Sequence, residues 1–241
     1  GDTDGAGGTP WAGIWGCVHV TGTSTGSLLD NVEVRYAGWD SDGGIWVEGG
    51  QLALTNSLVT ETHGSGLRLQ NCSPTLTGNT YSNSSWGAVS TDLATSPVSS
   101  GSTCTNNRYN GLVLDPGSLV GNRVWDDTDL VHVLVGDVTV PAGQTLTLAA
   151  GLVVKFEYGA NDLIVNGTLS ADGTGSSRIV FTSVRDDTAG GDTNNNADGD
   201  GPYADIWGCV RFNASSTGNL MDNVEVRYAG WDSDGGIWLD G

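Results

Sequence analysis

Hydrophobic and polar residues alternate along this chain in runs too short for anything but β-strands. Ile14 to Val20, IWGCVHV, puts Ile14, Gly16, Val18 and Val20 on one side and Trp15, Cys17 and His19 on the other, by the two-residue period of an extended chain. Leu28–Tyr36 follows, with Val32, Val34 and Tyr36 inward and Glu33 and Arg35 outward. Ile45 and Val47 then point in, leaving Trp46 and Glu48 outside. Further strands are expected at 52–59, 66–69, 75–81, 87–90, 102–109, 111–114 and 119–124. Beyond Val131 the alternation is regular, with Leu146, Leu148, Val153, Phe156, Ile164, Val165, Leu169, Ile179 and Phe181 as expected core. No stretch of ten residues has helical periodicity, so the chain reads as nearly all β.

The pattern repeats at long range. DNVEVRYAGWDSDGGIW at Asp30–Trp46 returns letter for letter at Asp222–Trp238, an offset of 192, and Ile14–Gly49 matches Ile206–Gly241 at 27 of 36 positions. Such self-similarity marks stacked architectures. GDT at 1–3 echoes 191–193, which reads as a window on a longer polymer or a subunit that stacks end to end. Ile206, Gly208, Val210 and Phe212 keep the inner side apolar while His19 becomes Arg211, so Trp15, Cys17 and their copies Trp207 and Cys209 are expected to point outward. Shorter frames recur at 51–58, 74–81 and 102–109. Asn31, Asn56, Asn79, Asn107 and Asn122 fall near one corner at spacings of 25, 23, 28 and 15, the last too short for a full coil. Three short strands per twenty-odd residues, with Asn stacked on Asn to satisfy turn backbone along the axis, suit a parallel β-helix. The change of texture divides it into 1–128, the later coils of one period, and 129–241, the start of the next. About ten coils at ~4.8 Å would span roughly 50 Å, and one period roughly 40 Å.

Composition narrows the partners. With 28 acids against 9 basic residues the net charge is −19. The clustered Lys and Arg that bind phosphate are missing, which argues against nucleic acid and anionic membranes, and no apolar run is long enough for a membrane span. Divalent cations, neutral sugars or solubility at high salt fit better. The densest acids lie at 185–205. Asn194, Asn196, Asp198, Gly199 and Asp205 follow the calcium-loop spacing N-x-N-x-D-G-x5-D, and a rival register starts at Asp192 with Asp186 and Asp187 nearby. Alternating oxygen ligands and a Gly at the sharp turn suit Ca²⁺, though plain turns use the same residues.

Other candidates are weighed against blander readings. Outward Trp15, Trp46, Trp207 and Trp238 suggest a contact between chains, a sugar platform, or cover by a neighbouring loop. Cys17 and Cys209 stand one period apart, too far to bridge. Cys104 reads as core and Cys72 as a turn residue, so each period has an odd thiol, with Cys17 the candidate for an intermolecular bond. Asn71, Asn83, Asn166 and Asn213 are N-glycosylation sequons. The histidines scatter, and His19 changes to Arg211, against a catalytic role in each unit. Glu33, Arg35 and Arg68 fit parts of a lyase site or a salt-linked surface equally well.

The order VTVPAGQTLTLAAGLVVKF, LIVNGTLSADGT, IVFTS, RDDTAGGDTNNN, IWGCVRF, LMDNVEVRYAG resembles the right-handed parallel β-helix repeat proteins of prokaryotic cell surfaces, with their pectate-lyase-like solenoid. The likeness covers 129–241 and, through the copy, 1–50, while 51–124 is similar to the looser central coils. That family usually has Gly where Cys17 and Cys209 stand. The resemblance implies an all-β, right-handed parallel β-helix in a tandem array, extracellular or at the cell surface. The architecture hosts adhesins, filaments, lyases and hydrolases alike. The expected function is non-enzymatic: a fibre, sheath or adhesive stalk built by self-association end to end, without membrane insertion. The alternative is a polysaccharide-binding or polysaccharide-cleaving β-helix.

Overall fold

The computed structural model describes residues 8–40, 43–197, 199–231 and 235–240, whose named elements are all β-strands. The first turn is β1 (Val18–Thr21), β2 (Ser27–Asp30) and β3 (Glu33–Arg35). The second is β4 (Ile45–Glu48), β5 (Leu52–Thr55) and β6 (Leu58–Thr60), and the third β7 (Leu67–Gln70), β8 (Thr75–Thr77) and β9 (Thr80–Ser82). Then come β10 (Gly87–Thr91), β11 (Val98–Ser100) and β12 (Thr103–Thr105), followed by β13 (Tyr109–Leu114), β14 (Gly117–Ser118) and β15 (Arg123–Trp125). The sixth turn is β16 (His132–Leu134), β17 (Val138–Val140) and β18 (Thr145–Leu148); the seventh is β19 (Val153–Phe156), β20 (Leu163–Val165) and β21 (Thr168–Asp172). The chain closes with β22 (Ile179–Ser183), β23 (Val210–Phe212), β24 (Leu220–Asp222), β25 (Val224–Val226) and β26 (Ile237–Leu239).

Every third strand pairs in parallel, so the strands form a solenoid with three faces. One face is a single nine-stranded sheet from β1 to β25. The other two break. β2, β5, β8 and β11 form one sheet and β3, β6, β9 and β12 another; beyond them β14, β17, β20, β23 and β26 form a third, and β15, β18, β21 and β24 a fourth. Eight steps of ~4.8 Å along the unbroken face give about 38 Å.

The corners correct the straight strands expected at 28–36, 75–81 and 102–109. Asn31 (φ 54), Asn56 (φ 49), Gly78 (φ 64) and Gly101 (φ 66) lie one residue past paired positions in successive coils. This left-handed conformation is one that Gly and Asn adopt readily, and it turns the chain in one residue. The Asn ladder is corrected as well. Asn31 and Asn56 occupy the left-handed corner, Asn79 stands one place later, and Asn107 belongs to the next corner. Asn79 accepts from Ser57 N (3.0 Å) and donates to Leu54 O (2.8 Å). Asn107 accepts from Ser84 N (2.9 Å) and donates to Tyr81 O (3.0 Å). Each buried Asn thus satisfies the backbone of the coil before it rather than another Asn.

Two cores fill the solenoid. Val47, Leu54, Leu67, Leu69, Leu76 and Tyr81 belong to the first, and Leu146, Phe156, Leu163, Leu169, Phe181 and Phe212 to the second. Val153 and Ile164, expected inside, are only half-buried; their neighbours Val154 and Leu163 take the core positions. A polar layer accompanies the break in the sheets. Asp127 lies between Trp125 of the second core and Leu130 of the first. It is only 5% exposed, and its Oδ2 has no hydrogen-bond partner, as with Tyr81 Oη, Ser99 Oγ and Ser102 Oγ. Asp127 and His132 line one cavity of about 20 Å³.

Burial raises the Asp127 pKa and pulls that of His132 down to about 4. The Asp127 carboxylate therefore weakens the fold at neutral pH: as pH rises from the ordinary carboxylate value through the raised one, the unfolded chain loses its proton first and stability falls. Asp127→Asn is expected to stabilise by about 1 kcal/mol at pH 7, with the gain vanishing in acid. Urea melts at pH 7 and pH 3 check this; equal effects at both would contradict it.

Candidate functional site

The acidic loop forms a strap across the outside of the nine-stranded sheet. Along that face Val113, Val133, Lys155 and Thr182 occupy one outward column, fixed by the register of β13, β16, β19 and β22. After β22 the chain folds back over it. Val184 packs with Tyr109, Val113, Val131 and Val133 in an apolar cluster separate from both cores. Asn110 clamps the far end, donating its N–H to Thr193 O (2.7 Å) and its Nδ2 to Asp192 O (2.9 Å).

Lys155 is the centre of this arrangement. It is fully buried, and its Nζ donates to Asp186 O (2.9 Å) and Gly191 O (2.8 Å). Burial pulls its pKa down to about 8, while the carboxylates of Asp187, Asp186 and Asp192 act in the opposite direction. Asp186 is also buried. Burial works to raise its pKa, yet hydrogen bonds from Thr188, Thr182 and Arg227 outweigh it and leave the pKa lowered; Thr182 Oγ1 donates at 2.8 Å and Arg227 Nη1 at 3.2 Å.

This geometry sorts the candidate calcium ligands. An ammonium serves the inner half of the loop, and Asp186 is filled by hydroxyl and guanidinium donors. Asp192 caps the backbone N–H groups of Asn196 and Ala197, both at 3.1 Å. Further out, Asn194 Oδ1 and Asn196 Oδ1 are buried without a hydrogen-bond partner. Asp205 is exposed at φ 62, and Asp198 lies outside the described residues. Among those, no three His, Cys, Asp or Glu side chains are gathered where they could hold a metal.

The tryptophans divide by copy. Trp15 and Trp207 make the same local bonds, donating Nε1 to Arg35 O (2.7 Å) and Arg227 O (2.8 Å). Trp15 is 40% exposed, whereas Trp207 is fully buried and stacks on Phe156 at 3.9 Å and 7°. The outward placement expected for Trp207 is thus wrong, since it belongs to the second core; Cys209 is also buried but lies outside that core, with its N–H on Asp162 Oδ1 (2.8 Å) and its thiol beside Arg211. The strands begin only at Val18 and Val210, so the alternation does not reach the tryptophans. Ile14, expected inside, is exposed, while Ile206 is buried. The turn carrying Phe156 covers the second copy, and no described coil lies below the first. Trp46 and Trp238 do face outward, each beside a planar side chain. His19 stacks on Trp46 at 4.1 Å and 1°, and Arg211 lies over Trp238 at 5.4 Å. The His-to-Arg change therefore keeps a flat side chain against the indole. Trp46 Nε1 also donates to Gln70 Oε1 (2.7 Å).

Cys72, Cys104 and Cys209 are free thiols; Cys17 and Cys104 are half-buried, and Cys72 and Cys209 are buried. Burial pushes the Cys104 and Cys209 thiols up to about 11. Of the sequons, Asn71 and Asn83 are exposed corners. Asn213 donates its Nδ2, the nitrogen a glycan would take, to Asn166 Oδ1 at 2.7 Å. Arg68 is held by both oxygens of Asp115, and Arg35 pairs with Glu33 and Glu61.

The parallel coils, one-residue corners and stacked inner columns are those of a β-helix, and comparison with known families agrees. Residues 16–128 match the right-handed β-helix region family. No curated protein and no solved structure matched the chain. The described coils continue the β-helix beyond the matched stretch to β26. The strap's anchor was missed in the sequence. Its signal was there: Lys155 is the single lysine, on an otherwise apolar strand one coil before the acidic loop.

Proposed function

We propose that this chain is a non-catalytic, structural β-helix of the cell exterior whose repeats add along the axis to build a fibre, sheath or stalk. The supporting observation is the coil present in two copies. At 206–240 its lower side packs on Phe156 and Phe181; at 14–49 its upper side packs beneath Leu52, Leu54 and Leu67. Together the copies display both sides of a repeat junction. A coil accepted by the end of one period below and the start of the next above is what an axial array requires. In the second copy Trp231 meets Tyr158 edge-on at 4.8 Å, whereas Trp39 in the first stays exposed. No described coil lies beneath the first copy's exposed aromatics, which supports axial contact over a sugar platform.

A chain lengthened by a second copy of residues 50–241 tests this. Small-angle scattering is expected to show one rod about 35 Å longer. Two separately tumbling bodies, or saturable glycan binding lost in Trp46→Ala, would favour other readings. We place calcium on the outer half of the strap, at the unpartnered Asn194 and Asn196 oxygens. Titration calorimetry is expected to show one weak site that Asn196→Ala removes; no calcium heat would refute the placement.

A further inference from the structure

The two copies of the coil sit on different faces of the solenoid. β1 belongs to the nine-stranded sheet, and its copy β23 to the five-stranded one. β2 lies in the sheet ending at β11, and its copy β24 in the sheet beginning at β15. β3 lies in the sheet ending at β12, while its copy β25 joins the nine-stranded sheet. Locally the copies agree. Val18 pairs with Ile45 as Val210 pairs with Ile237. Tyr36 and Tyr228 share φ 61, and Asn31 and Asn223 have φ 54 and 49. The coil is the same and its phase around the axis differs. Twenty-two strands lead from β1 to β23, and three make a turn, so the 192-residue offset spans seven and one-third turns.

We propose that repeats of this protein advance with a one-third-turn phase step, so that a surface carried once per repeat faces three sides in succession. The proposal rests on the axial array above. At ~4.8 Å per turn each repeat rises about 35 Å, and the fourth returns to the first one's side after roughly 105 Å. The surface concerned is in view in both copies: His19 on Trp46 faces out from the nine-stranded sheet, and Arg211 with Trp238 from the five-stranded one. A one-sided adhesive or a flat sheet of parallel rods needs such copies in line. A phase step of one face in three suits a fibre that meets lateral partners all around its circumference.

Two measurements separate this inference from the reading it rests on. In the 241-residue chain, Ile164 and Arg211 are direct partners on neighbouring strands, within disulfide reach; an in-phase copy would place Arg211 beside Thr182 instead. The pair I164C/R211C is expected to cross-link with oxidised glutathione, as identified by peptide mass spectrometry, and the pair T182C/R211C is not. The reverse result overturns the phase step even if rods form. Electron microscopy of the native protein, with helical reconstruction, is expected to show the coil's outer loops in three rows related by about 120° per repeat. A single row overturns the inference while leaving the array intact. Globular particles that still carry the Ile164–Arg211 cross-link would sink the array and, with it, the three-sided presentation.

Discussion

Trp207→Ala is expected to cost about 3–5 kcal/mol, whereas Trp15→Ala, the same change in the same local sequence, costs about 1 kcal/mol or less. Both indoles donate to a carbonyl twenty residues on. Both neighbourhoods share the same backbone bonds: Trp39 N to Trp15 O is 3.0 Å, and Trp231 N to Trp207 O is 2.9 Å. They differ in what lies beneath. Trp207 is closed off by Phe156 in a core that includes Leu163 and Phe181. Removing it leaves a cavity between two coils, whose cost adds to the lost transfer energy. Trp15 has no such cover, so its loss removes one hydrogen bond and little packing. Denaturant melts of the two variants give the comparison directly. Equal losses would mean that the covering coil contributes nothing, and the argument for axial addition would fail with it.

Where the residue pattern could be trusted depended on whether a residue sat on a strand. Val18, Val20, Val34, Ile45 and Val47 fell on the inner side as alternation predicts, and Trp46 and Glu48 on the outer. The pattern failed at single-residue corners, since a left-handed Asn31 or Gly78 turns the chain without breaking the polar–apolar texture. It failed again at Trp207, which precedes its strand and belongs to the second core. Lys155 shows a different limit. Alternation places it outward, as it is; only the strap that returns from β22 buries it. Likewise, an offset counted in residues does not reveal how many turns it makes. Coils of unequal length hide the extra third of a turn until strands are assigned to faces.

The strap is where one side chain holds most of an element, and Lys155→Met tests it. The change keeps the length of the side chain but leaves Asp186 O and Gly191 O without their donor, and the carboxylates of Asp186, Asp187 and Asp192 without the buried cation. Removing one partner of a buried charged set costs about 3–5 kcal/mol. The loss should appear first as release of the strap: faster amide exchange at Asn110, whose N–H is bonded to Thr193 O, and new protease cleavage between 186 and 197. The pH dependence has a fixed sign. Below about 8 Lys155 is charged in both states and its burial cost is constant. Between there and its ordinary value the unfolded chain keeps a proton that the folded chain has shed, so this group makes stability rise with pH, by about 3 kcal/mol over the window. The Cys104 and Cys209 thiols, pushed up to about 11, act in the opposite direction above their ordinary value. The informative quantity is therefore the difference between wild type and Lys155→Met, in which the thiols cancel. That difference should grow with pH from about 8 and level off near the pKa of a free lysine. A flat difference, with the strap still protected, would show that the loop is held by its apolar contacts with Val113, Val131 and Val133 and that the ammonium is incidental.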